Sequence, residues 1–196
     1  MLQHVPVFPL SVMPYPSCRM PLRIFEPRYL NMVAEAMRGD RSFIMTMQTN
    51  PEEVESQLVD PYTGILRKAV RVEIEDFDQG EDGLLHIEVA GREWVLLSDL
   101  QKDDESLWRA SVEPLPNTTQ SPDDSQLNLI YRVIQDAAHA SQVQVPDVEI
   151  ATTEQKIGYL STLLPIGVVQ RIELVAAEDN AHRIALLNQW VSISEA

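Results

Sequence analysis

Apolar and polar residues alternate through much of the first half of the chain and recur every three or four positions through the second. That pattern predicts strands first and helices afterwards. His4–Leu10 is apolar and broken by prolines. Pro14, Pro16 and Pro21 predict an irregular, extended stretch, because proline fixes φ and lacks a donor. Arg23–Phe25 is read as a short strand, and Pro27 suits the first turn of a helix. Leu30, Val33, Ala34 and Met37 mark one helical face, and Gly39 is a natural stop. Phe43, Met45 and Met47 alternate within a strand over Ser42–Gln48. Val70, Val72 and Ile74 alternate with Arg71, Glu73 and Glu75, as in a half-buried antiparallel strand. Gln79–Gly83 is a turn, and Leu85, Ile87 and Val89 form the return strand. Gly91 is expected to break that strand, with Glu93–Leu97 resuming it and Trp108–Glu113 following. Short strands with turn signals and one helix argue for a small barrel or sandwich.

Pro114–Ser125 is rich in Pro, Ser, Thr, Asn and Asp and reads as a linker. The period then changes. Leu127, Ile130, Tyr131 and Ile134 share a helical face. Thr152 with Gln155 has the form of a capping box, opening a helix that stops at Pro165. Val169, Ile172 and Ala176 suit a third helix, and Asp179 can cap a fourth carrying Ile184, Leu187 and Val191. The expected division is residues 1–116 and 117–196.

The formal charge of −15 changes the list of partners. Nucleic acids and anionic membranes are poor candidates, since both require positive surface. The single cysteine, Cys18, rules out an internal disulfide and a multi-cysteine zinc site. No signal-like start and no apolar run near the roughly 18 residues of a membrane span is visible, so the expected location is the cytoplasm.

Catalytic motifs are missing. The sequence has no Walker A pattern and no G-x-S-x-G elbow, and His4, His86, His139 and His182 are dispersed. The expectation is no catalytic residue, no cofactor and no metal. Two features remain. All seven methionines lie in residues 1–47, and methionine serves both cores and adaptable binding surfaces. Residues 10–50 also carry a basic surplus, with Arg19, Arg23, Arg28, Arg38 and Arg41 against Glu26, Glu35 and Asp40. Met13, Tyr15, Arg19 and Met20 are the candidate peptide-binding residues. They are expected at the surface, because the prolines around them prevent full sheet pairing.

The segment Pro6–Met37 resembles the opening of the Lon N-terminal domain family. Phe8, Pro9 and Leu10 match its first strand, and Pro21, Leu22, Ile24, Phe25, Glu26, Pro27, Arg28 and Tyr29 match the lead into its helix. Gly64 resembles the start of a later strand, Gly91 and Arg92 a Gly-x-Arg element, and Tyr159–Leu187 the helical end. The chain departs from the family at Ser17, which stands where the family has glycine in a turn that can demand φ > 0. The resemblance implies an α+β fold, with a PUA-like β-barrel carrying one helix, followed by a C-terminal helical bundle. It implies a chain made of this domain alone, a non-catalytic relative of the substrate-recognising part of an ATP-dependent protease. Its partners would be unfolded or tagged polypeptides, with a protease or chaperone as associate. The signature is expected to be structural, with Phe25 and Tyr29 in the core. Two other classes stay open: a nucleic-acid-binding barrel, as in other PUA-like proteins, and an enzyme with an unrecognised site. An exposed apolar groove would favour polypeptide binding.

Overall fold

The computed structural model describes residues 2–54, 56–80, 82–116, 125–140 and 145–194. Chain contacts divide it into two compact units, Met1–Asn117 and Thr118–Ala196. The expected linker falls largely in 117–124, outside the described residues, as does Met1.

The first unit contains β1 (Leu2–Leu10), β2 (Arg19–Ile24), α1 (Pro27–Arg38), β3 (Ser42–Met47), β4 (Lys68–Gln79), β5 (Leu85–Lys102) and β6 (Trp108–Pro114). The six strands run in the order β2-β5-β4-β3-β1-β6, and β5 also pairs with β6. The pairings therefore close a ring of β1, β3, β4, β5 and β6, and leave β2 as an edge strand on the first half of β5. Only β1 and β3 run parallel, because the chain between them crosses over through α1. Val7, Ile44, Ala69, Val95, Leu97, Ala110 and Val112 form one apolar cluster. Period-two alternation sends their strand neighbours to the opposite face. There Phe8 meets Tyr29 of α1 at 4.2 Å and Phe43 at 6.2 Å between ring centroids. Strand β3 has a covered face on each side, so Phe43 to Met47 are all buried.

Several expectations need correcting. The strand at Arg23–Phe25 is longer and ends earlier, at Ile24, and it tolerates Pro21 because β2 is an edge. Helix α1 buries Tyr29, Met32, Val33 and Ala36, while Leu30 and Ala34 face outward. The face is rotated from the one expected because Tyr29 packs on Phe8. Gly91 does not break its strand. The register shifts between Arg71 and Val72, so that β5 continues through a bulge. Glycine is needed there because a Cβ would lie 2.2 Å from the Tyr15 carbonyl oxygen. Gly64 begins no strand. Its φ of +69° and its approach to Thr49, where a Cβ would lie 1.8 Å from the carbonyl oxygen, make it a turn position. Ser17 has φ +64°, so the turn keeps its left-handed residue although serine replaces glycine.

Helix α1 is also tied to the strands by charge. Arg109 donates from both terminal nitrogens to Glu35, at 2.9 and 2.8 Å, and from Nε to Asp103 at 2.8 Å. Hydrogen bonding from Arg109 holds the Glu35 carboxyl below its usual range. Burial pushes Asp103 up, but Arg109 and the N–H groups of Leu107 and Glu105 outweigh it and hold that carboxyl low too. Carboxyls depressed in the folded state stabilise it above their unfolded pKa near ~4, and that contribution disappears as pH falls through the folded values. Urea denaturation of the chain should therefore show stability falling as pH drops below about 4. In Arg109→Met that acid-dependent loss should shrink. An unchanged pH profile in the variant would show that the cluster is not coupled to folding.

The second unit contains α2 (Ser125–Ala140), α3 (Thr153–Leu163), α4 (Val168–Ala176) and α5 (Asn180–Ser194). Helix α3 packs on α2 and α5, and α4 packs on α5. The expected capping box is present: the Thr152 hydroxyl accepts from Gln155 N–H, and the Gln155 side chain accepts from Thr152 N–H. Asp179 accepts from His182 N–H at the start of α5. Two arginines satisfy helix-end carbonyls that the sequence left without obvious partners. Arg171 donates to Ser161, Leu164 and Ile166, and the buried Arg183 donates to Leu174 and Ala177. Among the described residues, no helix is long and apolar enough to cross a membrane.

Candidate functional site

The surface feature that stands out in the first unit lies where β2 hands over to α1. In β2 the buried positions are Met20, Leu22 and Ile24, and Arg19, Pro21 and Arg23 face outward. Phe25 continues the outward parity, and Pro27 then starts the helix. Phe25 is consequently 64% exposed, which corrects its expected place in the core. A second aromatic arrives from β4. The register shift around Glu75 sets Phe77 opposite Ile87, and Ile87 is opposite Leu22 on its other side. Cross-strand partners share a face, so Phe77 joins the apolar side of this sheet. It lies beyond the buried part of β4 and stays 56% exposed. Leu30, on the outward face of α1, is 38% exposed.

These side chains border a common groove. Phe25, Leu30, Phe77, Leu84 and Leu85 line a depression of about 470 Å³. Ile24 and Phe25 also line a neighbouring cleft of about 360 Å³, so Phe25 forms the ridge between the two. The second cleft draws its walls from the ends of β1 and β2, the start of α1 and the β5–β6 turn. Phe8, Tyr29 and Trp108 supply aromatic surface, and Arg23, Arg28, Lys102 and Glu26 supply charge. Glu26 pairs with Arg28 at 2.7 Å, and the Arg28 guanidinium sits 4.7 Å over the Tyr29 ring. Burial pushes the Tyr29 hydroxyl above its usual range, against the opposing pull of Arg28.

The predicted residues divide sharply. Phe8, Pro9, Leu10, Ile24, Phe25, Glu26, Arg28 and Tyr29 converge on the second cleft. Pro21 and Leu22 lie in β2, and Pro27 in α1. Arg92 sits apart, paired with Glu73 and Glu75, and Gly64 and Gly91 are positions of close backbone approach. The expected exposure of the Met13–Met20 stretch is corrected. Met13 and Tyr15 are 1% exposed and Met20 is 8%. The stretch lies against β5, where Ser17 N–H donates to Gly91 O and Gly91 N–H donates to Cys18 O. Only Arg19 of the four candidates faces outward, and it pairs with Glu75 at 2.7 Å. Cys18 is buried as well. Leu30, Phe77, Leu84, Leu85, Lys102 and Trp108 are not among the site residues expected from sequence. Leu30 directly follows the signature on α1, whereas Phe77, Leu84, Leu85, Lys102 and Trp108 stand far from it along the chain and reach it through sheet register. Among the described residues, no cluster of three or more His, Cys, Asp or Glu side chains is placed to hold a metal ion.

The model of the ATP-dependent protease La (LON) substrate-binding domain matches residues 4–192. The chain belongs to this family. No curated protein matches it. Its fold is similar to the crystal structure of a Lon N-terminal domain protein from Xanthomonas campestris, with TM-score 0.69 and 23% identity, over 96% of this chain and 99% of that one. It is also similar to the N-terminal domain of Mycobacterium avium complex Lon protease, with TM-score 0.68 and 13% identity, over 97% and 98%. Membership of the Lon substrate-binding domain family makes substrate recognition the function class against which the two clefts are read. Much of the family signature, expected from sequence to be structural, also lines the second cleft.

Proposed function

We propose that this Lon-type domain is a non-catalytic module that grips apolar segments of unfolded or tagged polypeptides at the β2–α1 corner, acting as an adaptor or regulator linked to proteolysis. The observation that carries the reading is the grouping of exposed Phe25, Leu30 and Phe77 around one groove. Isolated exposed apolar side chains are ordinary, but a contiguous set marks a contact surface. Large aromatics on a rigid sheet and helix lose little entropy when a client covers them. The closed ring of strands supports a PUA-like β-barrel over residues 1–116, and the packing of α2 to α5 supports a C-terminal helical bundle over 117–196. The acidic composition argues against nucleic acid and anionic membranes as partners, and fits a cytoplasmic setting.

The test is the double variant Phe25→Ser/Phe77→Ser. Burying two phenylalanines against a client contributes roughly 1.5–3 kcal/mol each. Affinity for a reduced, unfolded model protein should therefore fall at least about tenfold. The melting temperature should hold within about 2 °C, since both rings are already largely solvated. The same preparation should hydrolyse no ATP. Undiminished client binding would remove the groove from consideration.

A further inference from the structure

The smaller cleft differs chemically from the apolar groove beside it. Three cations line it, Arg23, Arg28 and Lys102, against one carboxylate, Glu26. This is a local reversal of sign on a chain with net charge −15. Arg23 reaches out to Asp82, which does not line the cleft, and Glu26 is matched by Arg28. Lys102 has no carboxylate partner among the described residues. Its ammonium sits 4.9 Å over the Trp108 ring, held there by cross-strand pairing of β5 with β6. The terminal nitrogens of Arg28 are engaged by Glu26 and the Ser106 carbonyl oxygen, so Arg28 contributes its charge to the cleft lining and Lys102 is the cation left for a ligand. The first turn of α1 also borders the cleft through Glu26, Arg28 and Tyr29, and the amino end of a helix adds partial positive charge. Phe8, Tyr29 and Trp108 give the same space apolar walls.

We propose that this cleft receives the free C-terminal carboxylate of a client polypeptide that ends in apolar residues. The carboxylate is held by Lys102, with the Arg28 charge beside it, and the last side chain lies against Phe8, Tyr29 and Trp108. This rests on the polypeptide-binding reading and names the part of the client that is recognised. The volume of about 360 Å³ lies at the small end of ligand pockets and suits a chain end better than a segment that must both enter and leave. Capture of a terminal carboxylate by converging donors is a recurrent mode of peptide recognition. The shared ridge at Phe25 gives the preceding residues a continuous path into the apolar groove. A client would then be read at its end by charge and upstream by apolar contact.

The experiment uses the full chain and a fluorescent synthetic peptide ending in Leu-Phe, in three forms: free acid, C-terminal amide, and amide with one internal aspartate. Binding is followed by anisotropy. The free acid should bind about tenfold tighter than the amide, the scale of a charge-assisted hydrogen bond. The aspartate-bearing amide should bind like the plain amide. In Lys102→Gln the ratio of acid to amide affinity should fall towards one, and in Lys102→Glu the preference should invert. Lys102 is exposed, so both variants should fold, as checked by melting temperature. Equal binding of acid and amide would overturn the terminal-carboxylate assignment and leave the apolar groove standing. So would an aspartate amide that binds as tightly as the acid, since the cleft would then read any carboxylate. If no form binds, both this inference and the polypeptide-binding reading fall.

Discussion

Gly91→Ala is expected to destabilise the first unit by about 4 kcal/mol, combining overpacking with lost hydrogen bonds. The added Cβ would meet the Tyr15 carbonyl oxygen at 2.2 Å and its carbon at 2.8 Å. Both are backbone atoms, so no rotamer change relieves the contact. The 11–18 segment would have to lift from β5, and Ser17 N–H and Gly91 N–H would lose their partners, at 2.8 and 2.9 Å. Thermal unfolding should show a loss of roughly 10 °C or more. A fall of under about 1 kcal/mol would mean that the segment can rise from the sheet without disturbing the ring.

Tyr15→Ala is expected to be nearly as damaging, at about 3–5 kcal/mol, in line with other buried aromatics cut to alanine. The ring is enclosed and meets Trp94 edge-on, 4.8 Å between centroids. Trp94 is itself buried and holds Lys68 over its face at 5.1 Å. Tryptophan fluorescence should shift as well, because truncation admits solvent beside Trp94. Chemical denaturation with a fluorescence readout checks both. A variant with unchanged stability and weakened client binding would return the Met13–Met20 stretch to the role that its prolines suggested.

The two variants mark where sequence reading stopped working. Pro14 and Pro16 do lie in a stretch without regular pairing, as expected, whereas Pro21 sits within the paired strand β2. Lack of pairing is not exposure, however. The segment covers β5, and its backbone donors find Gly91 and Tyr15. Phe25 shows the converse. Its size and its place in the family signature point to the core, yet it is 64% exposed. The alternation of Met20, Leu22 and Ile24 already put it on the outward side, so that signal was available.

Local signals fixed local structure. Alternation placed β3, β4 and β6 to within a few residues, Pro27 began α1, and Thr152 with Gln155 opened α3, because each depends on neighbours a few positions away. The family was legible too, since the string from Pro21 to Tyr29 holds its residues at fixed spacing. Tertiary structure alone decided that β2 is an edge, that β5 runs unbroken through Gly91, and that Lys102 and Trp108 close a cleft begun by Phe8 and Arg28. Those outcomes depend on pairing register between strands up to about a hundred residues apart. One bulge can change which face a side chain takes, and no local periodicity encodes where the bulges fall.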